Sequence, residues 1–330
     1  MRIMLQYLII QLDDTSTSYC HYENGKTEHR LMALDDLKAG ILFAMKENLT
    51  IQFVFPDYSL PQEYKDVINS IDHSDIVSSS CEDTILRENA DVIVFNSWTA
   101  MGQYAFKDNA VCILRTSKAD LLDKYPLLKP VLSAVTRLNV VITDIGTSTE
   151  QDFEAYKQVL ASLSEELEKL YAGGKSPQLN LLTDRMMLDK MNNCGAGDAN
   201  VTLAPDGKFY VCPAFYLAGD DEDYGLGKAK SSIGDLQTGL DIKNQQLYKL
   251  AHAPLCRNCD AYQCKRCVWQ NRNTTYEVNT PSHEQCVVAH IERNASRGLL
   301  GRIRKHGEFL PHQEIKEIDY LDPFDKKEEW

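Results

Sequence analysis

The chain has 330 residues and a formal net charge of −13, with 43% hydrophobic and 25% charged residues. This length suits a large domain with an appendage, and the composition is that of a globular protein rather than a disordered one. Most of the negative charge falls in the first 190 residues. A nucleic-acid partner is therefore not expected, because such binding depends on neutralising phosphates.

No apolar run approaches the length of a membrane span, and the N-terminus leads straight into a strand-like segment. We therefore expect a cytoplasmic protein with no membrane partner. The chain has ten cysteines. In a reducing cytoplasm, that number favours metal ligation over disulfides.

The first 190 residues alternate strand-like and helix-like segments. Most of the strand-like segments are unbroken apolar runs, typical of parallel strands buried on both faces. The predicted strands are Leu5–Leu12, Ile51–Phe55, Asp75–Ser78, Asp91–Phe95, Val111–Leu114 and Asn139–Ile142.

Two amphipathic helices stand out between and after these strands. The first is Leu34–Glu47, and its predicted core face consists of Leu34, Leu37, Ile41, Leu42 and Met45. The second begins near Thr149. Thr147 and Glu150 have the spacing of a capping box before it, and Gly173 and Gly174 are expected to end it.

Six strand-helix repeats predict an α/β fold, either a partial (β/α)6 barrel of parallel strands or an open doubly wound sheet. No G-x-G-x-x-G follows the first strand and no G-x-x-x-x-G-K-[ST] is present, which argues against dinucleotide and P-loop sites. Both architectures place function at the C-terminal ends of the strands. Polar residues expected at those ends are Asp13, Asp14, Asn96, Ser97, Arg115, Thr143 and Asp144. Of these, Asp13, Asn96, Arg115 and Asp144 are our candidate substrate-binding residues.

The last part of the chain concentrates its cysteines. Seven of the ten lie between residues 194 and 286, four of them in pairs with two residues between the partners. Thiolates at that spacing can turn towards one ion or cluster. The predicted metal ligands are Cys194, Cys212, Cys256, Cys259, Cys264, Cys267 and Cys286. The remaining three, Cys20, Cys81 and Cys112, are interpreted as buried packing residues.

This cysteine pattern resembles a SPASM domain, the auxiliary iron–sulfur module of radical SAM peptide-modifying enzymes. That family has a Cys, a gap of nine to fifteen residues, G-x4-C, then C-x2-C-x5-C-x3-C and a final Cys. Here Cys194 is followed by Gly207-x4-Cys212, and Ile233-Gly-Asp-Leu236 is similar to the family's short strand. Cys256-x2-Cys259-x4-Cys264-x2-Cys267 and Cys286 complete the set. Two inner spacings are one residue short.

The first domain is similar to a radical SAM partial barrel, but its cluster motif is changed. Such enzymes have C-x3-C-x2-C after the first strand, commonly with Tyr before the last Cys. Here Tyr19-Cys20 matches the end of that motif, while Asp13 and Thr17 stand at the other two cysteine positions. One Cys cannot hold the radical cluster. The resemblance therefore implies a scaffold without that cluster, and we expect S-adenosylmethionine not to be a cofactor.

As a whole, the chain resembles the CXXX repeat peptide maturases, through Tyr19-Cys20-His-Tyr, the Leu37–Asn48 helix and the SPASM-like end. The resemblance implies a ribosomally made, Cys-rich precursor peptide as partner. The chain either modifies this peptide or presents it to a companion modification protein, and the sequence does not decide whether it is an enzyme.

The same resemblance implies two [4Fe–4S] clusters. Cys194, Cys212 and Cys267 would face one, and Cys256, Cys259, Cys264 and Cys286 the other. Seven thiolates leave one iron open, and we hypothesise that a thiolate of the peptide binds there.

Zinc is the alternative. Cys256, Cys259, Cys264 and Cys267 would form one closed site in a non-catalytic peptide-binding scaffold. His283 and His290, which flank Cys286, are possible further ligands. The zinc hypothesis leaves Cys194, Cys212 and Cys286 without a role. The four residues between the two cysteine pairs are also fewer than is usual in zinc ribbons. The predicted domains are 1–190 (barrel), 191–300 (SPASM-like) and 301–330 (C-terminal tail).

Overall fold

The computed structural model describes residues 5–192, 194–218, 232–318 and 320–322. Parallel strands alternate with helices through the first part, as predicted for an α/β fold. The strands are β1 (Tyr7–Gln11), β2 (Thr50–Val54), β3 (His73–Ser78), β4 (Val92–Phe95), β5 (Val111–Thr116), β6 (Arg137–Ile142), β7 (Gln178–Leu179), β8 (Asn200–Leu203), β9 (Lys208–Tyr210), β10 (Ser232–Asp235) and β11 (Gly239–Leu240). The α-helices are α1 (Leu34–Glu47), α2 (Gln62–Ile68), α3 (Thr84–Asn89), α4 (Trp98–Gln103), α5 (Lys118–Lys124), α6 (Leu128–Ala134), α7 (Glu150–Ala172), α8 (Asp184–Met187), α9 (Ala214–Leu217), α10 (Val268–Thr275) and α11 (His283–Ile303). All six predicted strands are present.

The chain divides into two compact units, and the first contains residues 1–94 and 195–252. Its central strand is β1, which pairs in parallel with β2 on one side and with β8 on the other. The sheet continues in parallel from β2 to β3 and β4. Leu8, Ile9 and Ile10 are buried because β1 has a neighbour at each edge and helices against the sheet.

Beyond β8 the first unit continues as an antiparallel meander of β8, β9, β10 and β11. The turn between β8 and β9 contains Gly207, whose φ of +75° is a left-handed conformation that favours glycine. The strand expected around Ile233 is confirmed as β10.

Helix α1 has the predicted bounds, but its predicted core face is partly wrong. The buried residues are Leu37, Gly40, Ile41 and Ala44, while Leu42 and Met45 are exposed. A spacing of three, four and seven residues defines one helix face, and Leu42 lies about 100° away from Ile41. Gly40 belongs to the buried face because a Cβ at this position would lie 2.3 Å from Cδ2 of Leu203.

The second unit contains residues 95–194 and 253–330, and its strands β5, β6 and β7 are parallel. Helix α7 packs against α11. A capping box starts α7, but it consists of Thr149 and Asp152 rather than the predicted Thr147 and Glu150. The reason is register, since the turn at 145–147 moves the first helical residue to Glu150.

The C-terminal segment packs on this second unit as far as it is described. Gln313 Nε2 donates to the carbonyl oxygens of Met186 and Leu188, and Ile315 is buried. The predicted tail also includes Phe324 and Trp330, which lie outside the described residues. The domain boundaries near residues 190 and 300 remain predictions.

All ten cysteines lie in the described part of the chain, and none forms a disulfide. Cys81 and Cys112 are fully buried, as expected of packing residues, whereas Cys20 is only half-buried. None of the helices in the described residues is long and apolar enough to cross a membrane.

Candidate metal centre and strand-end site

Turns and helix ends position the cysteines of the second unit. The N–H of Cys259 donates to the carbonyl of Cys256, and the N–H of Cys264 donates to that of Ala261. Cys267 is the N-cap of α10, and Cys286 lies in the first turn of α11. Helix N-termini favour negative charge, which offsets part of the cost of burying a thiolate at either position.

Four of these cysteines, Cys256, Cys259, Cys264 and Cys286, lie near one another. Burial raises the pKa of Cys256 to about 11 and that of Cys264 to about 12, with the neighbouring thiolates adding to the effect. Burial also raises the pKa of Cys286, and the charges of Cys264, Cys256 and Cys259 raise it further. They are the four that the SPASM resemblance assigns to one cluster.

A second association involves Cys194 and Cys267. The N–H of Cys194 donates a 3.0 Å hydrogen bond to the carbonyl of Lys265. Burial raises the pKa of Cys267 to about 12, with the charge of Cys194 as the next cause. Cys212 follows β9 in the first unit and is half-buried.

Hydrogen-bond donors approach the cysteine sulfurs. The N–H of Ala261 lies 3.4 Å from Sγ of Cys259, and Nε2 of Gln285 lies 3.9 Å from Sγ of Cys264. Nε2 of His290 lies 3.3 Å from Sγ of Cys259. Contacts of this kind tune the potential of iron–sulfur clusters.

Buried cations near the cysteines test whether an anionic cluster fits. Arg293 donates from Nε (2.9 Å) and Nη2 (2.5 Å) to the carboxylate of Asp260. Arg185 lies 3.5 Å from the same carboxylate and is buried, yet no described residue accepts a hydrogen bond from its Nε or Nη1 atom. Burial raises the pKa of Cys259, and the charges of both arginines oppose that shift. Incompletely compensated buried cations are costly, so these residues fit a thiolate-bound cluster.

Lys265 adds to this positive charge. Burial lowers its pKa, and the charges of Asp184, Cys194 and Cys264 oppose that shift.

Within the described residues, no group of three or more His, Cys, Asp or Glu side chains is arranged to hold a single metal ion.

Hydrogen bonds and an ion pair hold the strand-end residues of the first unit. Asp13 is fully buried and accepts hydrogen bonds from the N–H of Thr15 (2.8 Å), the hydroxyl of Thr15 (2.6 Å) and the hydroxyl of Tyr58 (3.0 Å). Asp14 has different partners, namely the hydroxyl of Tyr216 and Nζ of Lys26 at 3.4 Å. The two adjacent aspartates are thus held by different groups.

The strand-end residues of the second unit are partly brought together. Nη1 of Arg115, a buried side chain, donates a 2.8 Å hydrogen bond to Oδ1 of Asn96. Oδ1 of Asp144 accepts a 2.7 Å hydrogen bond from the N–H of Lys118, at the start of α5.

Several residues of these sites were missed in the sequence. Asp260 follows Cys259 directly, and Arg293 lies seven residues after Cys286, on the same face of α11. The seven-residue spacing could therefore have indicated, from the sequence, that Arg293 lies on the same side of α11 as Cys286. Nothing in the sequence identifies Tyr58 as the partner of Asp13, since 45 residues separate them.

Comparison with known proteins gives a structural likeness only. The sequence matches no protein-family model and no curated protein sequence. The solved structures that are similar to this chain include two of anSMEcpe, an anaerobic sulfatase-maturating enzyme of the radical SAM and SPASM class. Histidine-tagged anSMEcpe with bound AdoMet gives a TM-score of 0.58 at 12% identity, covering 91% of this chain and 99% of that chain. Native anSMEcpe with bound AdoMet and the Kp18Cys peptide gives a TM-score of 0.55 at 11% identity, with the same coverage.

At this identity the likeness concerns the fold. It favours the barrel over the open doubly wound sheet that the sequence left possible. The chain has a radical SAM-like α/β fold, a partial barrel of parallel strands with a second domain.

Proposed function

We propose that this chain is an iron–sulfur protein for the maturation of a ribosomally made, Cys-rich peptide. It either modifies this peptide or presents it to a companion modification protein, as the resemblance to the CXXX repeat peptide maturases implies. The observation that carries the proposal is the proximity of Cys256, Cys259, Cys264 and Cys286 beside buried arginines. The likeness to an enzyme whose structure holds a bound peptide supports a peptide partner.

Two clusters are proposed, with the ligands that the SPASM resemblance assigns. Cys256, Cys259, Cys264 and Cys286 would hold one, and Cys194, Cys267 and Cys212 the other. When bound, such a cluster supplies one-electron transfer and an iron that accepts a thiolate. The roles of this chain's own residues are to hold the thiolates, offset their charge through Arg185 and Arg293, and donate hydrogen bonds to sulfur.

The reaction proposed does not use conventional radical SAM chemistry. The residue at the first cysteine position of the radical motif, Asp13, already accepts hydrogen bonds from Thr15 and Tyr58. Thr17, at the second position, is buried. Both observations support a strand-end loop rebuilt around polar contacts, with S-adenosylmethionine not expected as a cofactor.

The test is an anaerobic metal and sulfide count on the purified protein, with absorption spectra before and after dithionite. We expect about eight irons with matching sulfide and a broad visible band that bleaches on reduction. One zinc with no sulfide and no colour would overturn the cluster assignment and favour a zinc-stabilised scaffold.

A synthetic peptide with several Cys-x-x-x repeats then tests the partner, and its Cys-to-Ser analogue is the matched control. We expect the cysteine peptide to change the cluster spectrum and to bind more tightly than the serine peptide. Equal binding with an unchanged spectrum would contradict a thiolate contact. A mass change of the peptide would distinguish modification from presentation.

A further inference from the structure

The loop after β1 contains a histidine that neither the cysteine centre nor the SPASM resemblance explains. Residues 30–32 run beside residues 12–14. The N–H of Asp14 donates to the carbonyl of Arg30, and the N–H of Met32 donates to that of Leu12. This pairing brings His29 to the carboxyl end of the central strand, the edge where sheets of this kind place reacting groups.

Nδ1 of His29 lies 3.0 Å from Oγ1 of Thr15 and 3.4 Å from Oδ1 of Asp13. Its ring also lies edge-on to that of Tyr58, with centroids 4.9 Å apart and planes at 89°. The hydroxyl of Tyr58 donates to the other carboxylate oxygen of Asp13. The imidazole is thus oriented both through a hydrogen-bonding nitrogen and through its ring.

These contacts determine which nitrogen of His29 carries hydrogen. The Thr15 hydroxyl lies 2.6 Å from Asp13, and a carboxylate only accepts, so the single hydroxyl hydrogen points to Asp13. The oxygen of Thr15 must then accept from Nδ1 of His29. Nδ1 therefore carries the hydrogen, and Nε2 carries the lone pair. No described residue bonds to Nε2, and the side chain of His29 is 66% exposed.

The carboxylate that orients this histidine is well held. Asp13 is fully buried, and its own N–H lies 3.0 Å from Oγ of Ser16. Burial, and then the hydrogen bond with Asp13, raise the pKa of Tyr58, so its hydroxyl remains a donor. A fixed carboxylate behind an oriented imidazole with one accessible nitrogen is the arrangement of a general base.

We propose that Asp13, Thr15 and His29 form a proton-accepting site in which Nε2 of His29 takes the proton of a thiol presented at this edge of the sheet. The choice of a peptide thiol rests on the proposed function, whereas the base itself does not. In the step, the S–H bond breaks and its electron pair stays on sulfur. An N–H bond forms at Nε2, and Asp13 offsets the charge of the imidazolium. Nothing is oxidised or reduced. The product is a thiolate, the form of cysteine that acts as nucleophile or metal ligand.

The first test needs no peptide. In full-length protein labelled with ¹⁵N-histidine, the ¹⁵N shifts of neutral His29 report its tautomer, and His29→Gln assigns the signal. We expect hydrogen on Nδ1. Hydrogen on Nε2 would overturn the proposal.

The second test uses a Cys-x-x-x repeat peptide labelled with ¹³C at the cysteine Cβ, whose shift reports the thiolate fraction. We expect the thiolate to thiol ratio in the complex to fall about tenfold or more in His29→Gln. Thr15→Val, which removes the hydroxyl but keeps the N–H bond to Asp13, should give a smaller fall. Thr17→Val is the matched control. Thr17 is a buried threonine of the same loop that is not part of the Asp13, Thr15 and His29 site, so this change should leave the thiolate to thiol ratio unchanged.

The same thiolate fraction in wild type and His29→Gln would overturn the proton-accepting role. A peptide that does not bind the wild type would instead contradict the proposed function. In that case the tautomer of His29 from the first test, which needs no peptide, would still show whether Nε2 can accept a proton.

Discussion

The hydroxyl of Tyr156, on α7, donates a 2.8 Å hydrogen bond to the carboxylate of Glu292, on α11, and both side chains are buried. Burial raises the pKa of Glu292 from 4.5 to about 7, although hydrogen bonds from Tyr156 and Gln263 oppose the shift. The helix pair therefore contains a carboxyl group that favours its protonated form in the folded state.

Glu292→Gln should remove a pH dependence of stability. Between about pH 4.5 and 7 the folded chain binds more protons at this position than the unfolded chain, so the free energy of unfolding falls as pH rises. The loss is roughly 3 kcal/mol across this window. Glutamine keeps an acceptor for Tyr156 and does not titrate.

The measurement is the Tm of wild type and Glu292→Gln, near pH 5 and near pH 7.5, under anaerobic conditions. The Tm of the wild type should fall more between these two values. A constant difference between the two proteins would contradict the prediction.

Cys264→Ala should remove about four of the expected irons, because it deletes one of the four thiolates assigned to one cluster. The control is Cys112→Ala, which deletes a fully buried thiol in β5, outside this group of four. It should reduce stability without changing iron content. Equal iron loss in both variants would indicate a folding defect rather than lost ligation.

Thr149→Ala should destabilise the protein by about 1 kcal/mol, because the Thr149 hydroxyl accepts the N–H of Asp152 at the start of α7. Thr147→Ala serves as comparison, since the Thr147 hydroxyl bonds to the carbonyl of Asp144 outside the helix. Urea unfolding should show the larger effect at Thr149. The opposite order would restore the capping box predicted from sequence.

Gly40→Ala should destabilise the protein by about 1–3 kcal/mol, because the new methyl group would overlap the buried side chain of Leu203. Gly301→Ala makes the same substitution within α11, where no heavy atom of the described residues lies within 4 Å of the added carbon, apart from its chain neighbours and the backbone of its own helix. It should stabilise the protein by up to about 1 kcal/mol through helix propensity. Thermal unfolding of the two variants in parallel checks the sign of each change.

Local sequence determined much of the fold. The apolar runs around Ile51, Val111 and Val140 predicted buried parallel strands because such strands have no solvent-facing side. The bounds of α1 also followed from local signals. The cysteine spacing led to the prediction that Cys256, Cys259 and Cys264 are ligands, and short turns bring their backbones close together.

Only the tertiary structure decided which groups meet across long separations. It pairs β8 with β1, buries Gly40 against Leu203 while leaving Leu42 exposed, and places Tyr58 and His29 around Asp13. None of these relations has a period or a fixed spacing in the sequence. They arise because distant segments share the same interior, where each buried polar group needs a partner and each apolar face needs a surface to cover it.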